Sequence, residues 1–248
     1  MDIDWPELRA RSLLFEDDAV LALNKPAGIS VTGERHDIDI VAAAAAHGET
    51  LYPVHRIDKV TSGLILFARE LSAHGPLTRQ FNKQTADKAY LAIVDAGSPE
   101  LPDTGTIDLP LGVGRKNRVR VAAPRETIRR EGDRWSVAET DLLNTKNYPS
   151  TTEFTVLARH REHTVAALRP ITGRRHQLRV HLAWIGHPIL GDPLFDRSGT
   201  VPRAHLHSWR LGLAVDRLPG GRLELEAPPG DDFWSPLPGP PPSLPEPQ

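Results

Sequence analysis

The sequence predicts an α+β fold, in which a single domain is built on a large, mostly antiparallel sheet with flanking helices. Short apolar runs rich in branched side chains recur along the 248 residues, and turns of Gly, Pro and polar residues separate them, as expected for strands. Only three stretches have the composition and end signals of helices. Strand runs mixed with few helices are typical of α+β domains rather than of alternating βαβ folds.

The strands are predicted from apolar composition and from the turns that bound each run. The runs at 151–158 and 164–168 are predicted to pair as a hairpin around a polar turn. In chain order, strands are expected at residues 12–18 (with a turn), 19–24, 64–68, 88–94, 105–109, 118–122, 136–142, 151–158, 164–168, 205–213 and 222–227.

Three helices are predicted, at residues 40–47, 76–84 and 173–184. Asp39 and Thr172 are suited to cap the first and the third, because their side-chain oxygens can accept from free backbone N–H groups. Gly48 is a suitable stop for the first helix. Pro76 indicates the start of the second, since proline is tolerated in the first turn of a helix.

The predicted domain runs from about residue 10 to residue 230. Residues 231–248 are dominated by Pro, with Gly, Ser and acidic residues. Such a segment cannot form a strand ladder and buries little surface, so we expect an extended, disordered C-terminal tail.

Composition limits the functional class. Cysteine is absent, which excludes disulfides, a thiol nucleophile and a cysteine-based zinc site. The first eleven residues carry three acidic side chains and no apolar segment, so we expect no signal peptide. No apolar run approaches the length of a membrane span. We therefore expect a cytoplasmic protein with no membrane partner.

The net charge of −2 argues mildly against a nucleic-acid partner, but the basic residues are clustered. Eight Lys and Arg side chains lie between Arg115 and Arg134, and four more arginines lie between Arg169 and Arg179. Clustered basic residues on a neutral chain fit a phosphate-binding face. For the first cluster, a solvated charged loop is the simpler interpretation.

The most informative stretch is Val54-His55-Arg56-Ile57-Asp58-Lys59-Val60-Thr61-Ser62-Gly63, which precedes a predicted buried strand. It places Asp58 on a loop held by a sheet, where reactive side chains are often found. His55, Arg56 and Lys59 surround it with positive charge and donors, which favour an ionised carboxylate. Such a carboxylate can act as a nucleophile without an activating base. Equally, Asp58 can be a turn former or a structural ion-pair partner.

The second informative stretch contains Thr172-Gly173-Arg174-Arg175-His176-Gln177-Leu178-Arg179-Val180-His181 and continues to Asp192. On a helix, Arg175, Leu178 and Arg179 fall on one side, together with Leu182. An arginine on a half-buried face needs a carboxylate partner, which its planar fork suits. The alternative is an amphipathic helix with surface arginines.

Five histidines with Asp192 raise the alternative of a metal site. His176 and His181 are five residues apart, a poor spacing for one face of a helix, and there is no cysteine. We therefore assign no metal ligands and expect structural histidines at positions 176, 181, 187, 205 and 207.

The Asp58 stretch resembles the signature loop of the RluA-type RNA pseudouridine synthases, usually His-Arg-Leu-Asp-x-x-Thr-Ser-Gly. The second stretch resembles that family's Thr-Gly-Arg-x-His-Gln-Ile-Arg-x-His segment, and Lys88-Ala89-Tyr90 resembles its Lys-x-Tyr. The segment Asn24-Lys25-Pro26-Ala27-Gly28 resembles an early Asn-Lys-Pro-x-Gly, to which we assign no chemistry. The resemblance spans roughly Leu13 to Pro229, and we expect no N-terminal S4-like RNA-binding domain.

The resemblance implies cofactor-free isomerisation of specific uridines in RNA. Asp58 is the implied catalytic residue, which attacks the sugar C1′, attacks the base C6 or removes a sugar proton. Arg179 is implied to pair with Asp58 and keep it ionised. Tyr90 is implied to stack on the target base and to assist proton removal from C5. Arg56 is implied to fill the space that the flipped base leaves.

The implied partner is structured RNA, either transfer or ribosomal, whose target base must leave its stack before reaction. His55, Arg174 and His176 are further candidates for substrate binding, as is the basic loop at 115–134. A monomer is the simplest expectation. Two rivals are a catalytically inactive RNA-binding protein of the same fold and a metal-dependent hydrolase that uses the histidines.

Overall fold

The computed structural model describes residues 3–33, 39–97, 99–114, 117–196, 199, 201–216 and 218–246. Within them the chain divides into two compact units. The first contains the chain up to Ala89 together with Leu206–Gly230, and the second contains Tyr90–His205 and the residues from Asp231 onward. The boundary between Ala89 and Tyr90 falls inside a strand, where no Pro- or Gly-rich linker marks it.

The first unit consists of strands and three helices. Elements are numbered along the whole chain, and those of this unit are α1 (Trp5–Ser12), β1 (Leu13–Glu16), β2 (Val20–Lys25), α2 (Ile40–Ala46), β3 (Tyr52–Pro53), β4 (Ser62–Ala68), α3 (Leu71–Asn82), β14 (Leu206–Ala214) and β15 (Arg222–Glu226). The strand order is β1-β2-β4-β14-β15, with β3 also pairing with β4. The β4–β14 pair is parallel, whereas the other pairs are antiparallel.

The core of the first unit is centred on β4, in which all seven residues are buried. Leu64 and Leu66 share one face of β4 because side chains two apart in a strand point the same way. They belong to a cluster with Val20, Leu77 and Leu211, which come from β2, α3 and β14. This packing makes β4 a rigid support for the loop that precedes it.

The second unit contains most of β5 (Asp87–Asp95), which begins in the first unit. Its other elements are β6 (Thr104–Asp108), β7 (Leu111–Val113), β8 (Val119–Val121), β9 (Arg129–Glu131), β10 (Arg134–Ser136), β11 (Asn147–Tyr148), β12 (Thr151–Arg159), β13 (His163–Pro170), α4 (Gln177–Trp184) and α5 (Asp231–Trp234). The strands run in the order β5-β13-β12-β6-β10-β9, with a separate sheet β11-β7-β8. The β6–β10 pair is parallel and the other pairs are antiparallel.

These elements confirm the predicted class, since strands outweigh helices and most strand pairs are antiparallel. The predicted cap of α2 is also confirmed, because Asp39 Oδ1 accepts from Ala42 N at 2.8 Å. In the described part of the chain, every helix is too short or too polar to cross a membrane.

Two helix predictions differ from the structure, and helix α1 was not predicted. No pattern in the sequence predicted α1, a short helix whose buried apolar residues are Trp5 and Leu8. Helix α3 begins at Leu71 and includes Pro76. Proline has no N–H to donate to the carbonyl four residues earlier, which belongs to Ser72. Ser72 is exposed, so water can donate to its carbonyl instead. Helix α4 begins at Gln177, because the preceding residue, His176, has left-handed backbone. The strand predicted at 136–142 is instead the end of β10 and a 3₁₀ turn at Glu139–Asp141.

The predicted tail begins with a packed segment. Phe233 in α5 is fully buried, and its carbonyl accepts from His205 Nδ1 at 2.9 Å. Trp234 and Leu237 are also buried, and Asp232 pairs with Arg203. Three buried apolar side chains therefore hold the first residues of the tail in place. The average composition of the tail, which is rich in Pro, does not indicate this packing. The predicted domain limits at about residues 10 and 230 stay a prediction.

Candidate active site

Asp58 lies on the loop between β3 and β4, and its residue is half-buried. Val54 and Ile57, which come just before it, point into the core with 3% and 6% of their surface exposed. The turn after it is closed by Thr61 N, which donates to Asp58 O at 3.0 Å. The sequence therefore folds this way because apolar anchors precede the carboxylate and a hydrogen-bonded turn follows it.

Ser62 fastens the end of this loop. Its hydroxyl lies 2.8 Å from His207 Nδ1, and His207 Nε2 lies 2.9 Å from Ala227 O. A carbonyl can only accept, so Nε2 carries a proton and donates to Ala227 O. His207 is almost fully buried, so these bonds are shielded from water.

Gly63 allows a close approach of two backbones. Its φ of +102° lies in the range that favours glycine, and a Cβ built there would lie 2.2 Å from Ser208 O on the parallel strand β14. Any side chain would separate β4 from β14. The Thr61-Ser62-Gly63 part of the sequence motif thus positions the loop instead of contributing reactive groups.

Lys25 holds the residue that follows Asp58. Its side chain is fully buried at the end of β2, and Nζ donates to Pro26 O at 2.9 Å, to Ile29 O at 2.8 Å and to Lys59 O at 3.4 Å. Gly28 N also donates to Lys59 O, at 2.7 Å. The segment to which the sequence assigned no chemistry is therefore a clamp on the Asp58 loop.

His55 points into the first unit. Its Nε2 accepts from Leu66 N at 3.0 Å, and its ring stacks on Phe81 with centroids 4.5 Å apart and planes 8° apart. Burial, together with the positive charge of Lys88, lowers the pKa of His55 to about 3. The ring is therefore neutral at physiological pH and ties the loop to β4.

Arg56 is exposed, and in the described ranges it makes no hydrogen bond or ion pair with another residue. His55 beside it, by contrast, is held by a hydrogen bond from Leu66 N and by stacking on Phe81. A free guanidinium next to the loop carboxylate is available to a ligand.

Helix α4 begins late because His176 has φ +55° and ψ +17°, which is left-handed backbone. A helix cannot pass through that conformation, so the residues from Gly173 to His176 form a turn. Gln177 fixes the turn, because its Oε1 accepts from Thr172 Oγ1 at 2.6 Å and from Arg174 N at 3.0 Å. Arg174 is exposed and His176 is half-buried.

Arg179 forms a buried ion pair with Asp192. Nε donates to Oδ2 at 2.6 Å and Nη2 to Oδ1 at 2.8 Å, and the two side chains are 4% and 0% exposed. Asp192 Oδ1 also accepts from Leu194 N at 2.8 Å. This bidentate geometry fixes the plane of the guanidinium. The sequence showed that Arg179 needs a carboxylate but did not identify Asp192, although it lies in the same motif.

Tyr90 is half-buried on β5, where it pairs with Leu168 of β13. It shares a strand face with Ala92 and Val94, which are fully buried. The backbone of Tyr90 is thus held between ordered strands of the second unit.

The histidines considered as metal ligands have protein partners. His181 Nε2 lies 2.9 Å from Leu109 O and its Nδ1 lies 3.0 Å from Thr152 Oγ1. Burial lowers the pKa of His181 to about 4, against the opposing effect of the Leu109 carbonyl. Burial also lowers the pKa of His187, whose Nδ1 lies 3.1 Å from Asp95 O. Among the described residues, no group of three His, Asp or Glu side chains is arranged to hold a metal.

Most arginines of the basic loop that the structure describes contact their own chain. Arg134 donates to Asp108 at 2.5 Å, and Arg129 lies 3.6 Å from Asp141. Arg130 lies over the Trp135 ring at 4.7 Å, and Arg125 donates to the Ala183 carbonyl. Residues 115 and 116 lie outside the described ranges. These contacts favour a structural role for much of the cluster.

A family model described as RNA pseudouridylate synthase matches residues 19–184, a range that contains Asp58, Tyr90 and Arg179. The ribosomal large subunit pseudouridine synthase D of Nitrosomonas europaea is 33% identical over 240 residues, which cover 89% of this chain. The chain spans 62% of the length of that relative.

The dual-specificity RNA pseudouridine synthase RluA of Escherichia coli is 34% identical over 223 residues, covering 87% of this chain and 92% of that protein. The solved structure of human RNA pseudouridylate synthase domain containing 4 matches with a TM-score of 0.72 at 24% identity, covering 93% of this chain and 92% of that one. The structural likeness shows a shared fold.

Proposed function

The chain belongs to the RNA pseudouridylate synthase family, and from this premise we propose that it isomerises specific uridines in structured RNA to pseudouridine with Asp58 as the catalytic carboxylate. The reaction breaks the bond from C1′ to N1 and forms one from C1′ to C5; C5 then loses its proton and N1 takes one up from solvent. It is an isomerisation, and the proposal needs no cofactor.

One observation carries the proposal for Asp58: this half-buried residue lies on a loop whose backbone is held on both sides and which a fully buried strand supports. Val54 and Ile57 anchor the loop before Asp58, and the hydrogen bonds to Lys59 O fix it afterwards. Holding a reacting group in one orientation removes much of the entropic cost of reaction. A loop that served only as a surface turn would not need a buried lysine clamp.

The other roles rest on the family resemblance and on local geometry. We assign Arg179 the task of orienting Asp58 and keeping it ionised, and Asp192 supports this task by fixing the guanidinium plane. We assign Tyr90 to the target base and Arg56 to the space left by that base. Arg174 and His176 are substrate-binding candidates, whereas the contacts of His55 favour a role in positioning the loop.

The proposed substrates follow from the names of the relatives, one of which acts on the large ribosomal subunit and one of which has dual specificity. We propose transfer or ribosomal RNA, with the target base flipped out of its stack. We expect the protein to act as a monomer in the cytoplasm.

The test is release of tritium from RNA that carries tritium at C5 of uridine. Wild-type protein should release tritium from transfer RNA, ribosomal RNA or both, and Asp58→Asn should release none while still binding the RNA. Asp18→Asn is the matched control, because Asp18 is an exposed carboxylate on the turn between β1 and β2 of the same unit. Release by Asp58→Asn at the wild-type rate would contradict the proposal.

A further inference from the structure

An exposed tyrosine with two cations over its ring lies at the edge of the small sheet in the second unit. Tyr148 is on β11, and 36% of its surface is exposed. Lys146 Nζ and Arg174 Cζ each lie 5.4 Å from the centre of its ring. Large aromatic side chains are usually buried for their apolar area, so an exposed ring that holds two cations indicates a binding surface.

The surface is held in place by the backbone. Tyr148 pairs with Leu111 of β7, and Arg174 Nε donates to Pro149 O at 3.3 Å. Gln177 Oε1 accepts from Arg174 N at 3.0 Å, which ties the surface to the start of α4. Arg175, the next residue, donates to the Asn117 carbonyl. We call Lys146, Tyr148, Arg174 and Arg175 the Tyr148 surface.

The cations of the Tyr148 surface are not neutralised. In the described part of the chain, no carboxylate pairs with Lys146, Arg174 or Arg175, whereas Arg169 nearby in sequence pairs with Glu153 at 3.2 Å. The segment from residue 142 to residue 152 contains no Asp or Glu. Two exposed positive charges therefore lie at the Tyr148 ring, and the exposed Arg175 follows Arg174 in a chain whose net charge is −2.

We propose that the Tyr148 surface binds the phosphate backbone of the RNA strand that carries the target uridine. This inference rests on the proposed function and extends it. Phosphate contacts supply most of the sequence-independent affinity for nucleic acid and fix the register of the bound strand. The Tyr148 ring holds the two cations in place, and its exposed edge can contact an unstacked base.

The surface also places RNA binding next to a proposed catalytic element. Arg174 lies in the turn that leads into α4, and Arg179 lies on α4 itself. Gln177 fixes the turn and belongs to the same helix. A strand bound at Arg174 is therefore held by the segment that carries Arg179.

The test is the affinity for fluorescently labelled bacterial transfer RNA and large-subunit ribosomal RNA, measured as a function of salt. Lys146→Met and Arg174→Met should each weaken binding about fivefold near physiological salt and reduce the slope of log K against log salt by about 0.7 to 0.9. Lys83→Met is the matched control, because Lys83 is an exposed lysine at the end of α3 in the other unit. Lys83→Met should change the RNA affinity and the salt slope less than Lys146→Met and Arg174→Met do.

The aromatic ring is tested separately. Tyr148→Phe keeps the ring and should bind RNA more tightly than Tyr148→Leu, which removes it while keeping an apolar side chain. Equal affinities for the two variants would exclude the ring from the surface. If Lys146→Met and Arg174→Met left the RNA affinity and the salt slope unchanged, the proposal would be overturned. It would also be overturned if these variants changed the oligomeric state in solution without changing the RNA affinity.

Tritium release in the same samples separates this inference from the proposed function. If wild-type protein releases tritium and the cation variants bind RNA as wild type does, the Tyr148 surface is wrong and the proposed function stands. If wild-type protein binds both RNAs through the surface but releases no tritium from either, the proposed reaction is wrong and the surface stands. In active protein, Lys146→Met should raise KM more than it lowers kcat, because a backbone contact stabilises bound substrate and transition state alike.

Discussion

Replacing His55 with glutamine should make the protein less sensitive to mild acid. His55 is a neutral acceptor for Leu66 N and is stacked on Phe81. Its pKa is lowered from 6.5 to about 3, mainly by burial. A histidine whose pKa is lower in the folded state contributes stability that is complete above the unfolded pKa. That stability is lost as the pH falls, because the unfolded state then binds a proton that the folded state does not.

The magnitude follows from the two pKa values of His55. Between about pH 7.5 and about pH 5 the unfolded histidine becomes almost fully protonated, whereas the folded one, with its pKa of about 3, stays neutral. At about 1.36 kcal/mol per pK unit, this difference removes about 2 kcal/mol from the free energy of unfolding. His181, with a pKa of about 4, contributes a similar loss that the His55 substitution leaves in place. Glutamine keeps an acceptor for Leu66 N without titrating.

The assay is urea unfolding of wild type, His55→Gln and His47→Gln at both pH values. His47 is an exposed histidine at the end of α2, so its variant should keep the acid sensitivity of wild type. The loss of unfolding free energy on acidification should be about 2 kcal/mol smaller for His55→Gln than for wild type. If acidification lowered the free energy of unfolding equally for wild type and His55→Gln, the conclusion that His55 points inward and is neutral would be refuted.

Three further substitutions test how the loop and the ion pair are held, each by urea unfolding. Gly63→Ala should lower the free energy of unfolding by about 3 kcal/mol, because the backbone at residue 63 is in the left-handed range and the new Cβ meets Ser208 O. An unchanged free energy of unfolding would contradict the close approach of β4 and β14. Asp192→Asn should lower the free energy of unfolding by about 3 kcal/mol and reduce turnover, because Arg179 loses a buried charged partner. Wild-type stability and activity would exclude Asp192 as the residue that positions Arg179. Lys25→Met should lower the free energy of unfolding by about 2 to 4 kcal/mol, because the carbonyls of Pro26 and Ile29 lose the lysine donor and that of Lys59 keeps only Gly28 N; an unchanged midpoint would rule out the clamp.

The sequence was most informative where local chemistry decides structure. Asp39 caps α2 as expected, since a cap depends on residues three apart. The loop before β4 could also be predicted, because a polar stretch with Thr-Ser-Gly adjoins a run of apolar residues. The family resemblance implies that Asp58 is the catalytic residue of that loop, which stays a prediction, and the match over residues 19–184 confirms the family.

The features that could not be predicted depend on contacts between distant residues. The partner of Ser62 is His207, 145 residues away, and Lys25 reaches Lys59, 34 residues away. The inward orientation of His55 depends on Phe81, and no periodicity in the loop indicates it. These contacts form only when the sheet brings separate parts of the chain together.

Backbone conformation limited the prediction of α4. Composition indicated a helix from Gly173, but the left-handed backbone of His176 delays its start to Gln177. A residue other than glycine adopts that conformation at a cost of about 1 kcal/mol, so composition gives little warning of it. The delayed start keeps Arg174 in the turn, where it reaches Tyr148.

Pseudouridine content in RNA treated with wild type and with Asp58→Asn tests the central claim most directly. The treated RNA is digested to nucleosides, and pseudouridine is separated from uridine by chromatography and counted per RNA molecule. Wild type should convert specific uridines, and Asp58→Asn should be slower by a factor of about 10⁴ or more, because the reacting carboxylate is gone. Equal pseudouridine yields and rates for the two proteins would contradict the role of Asp58.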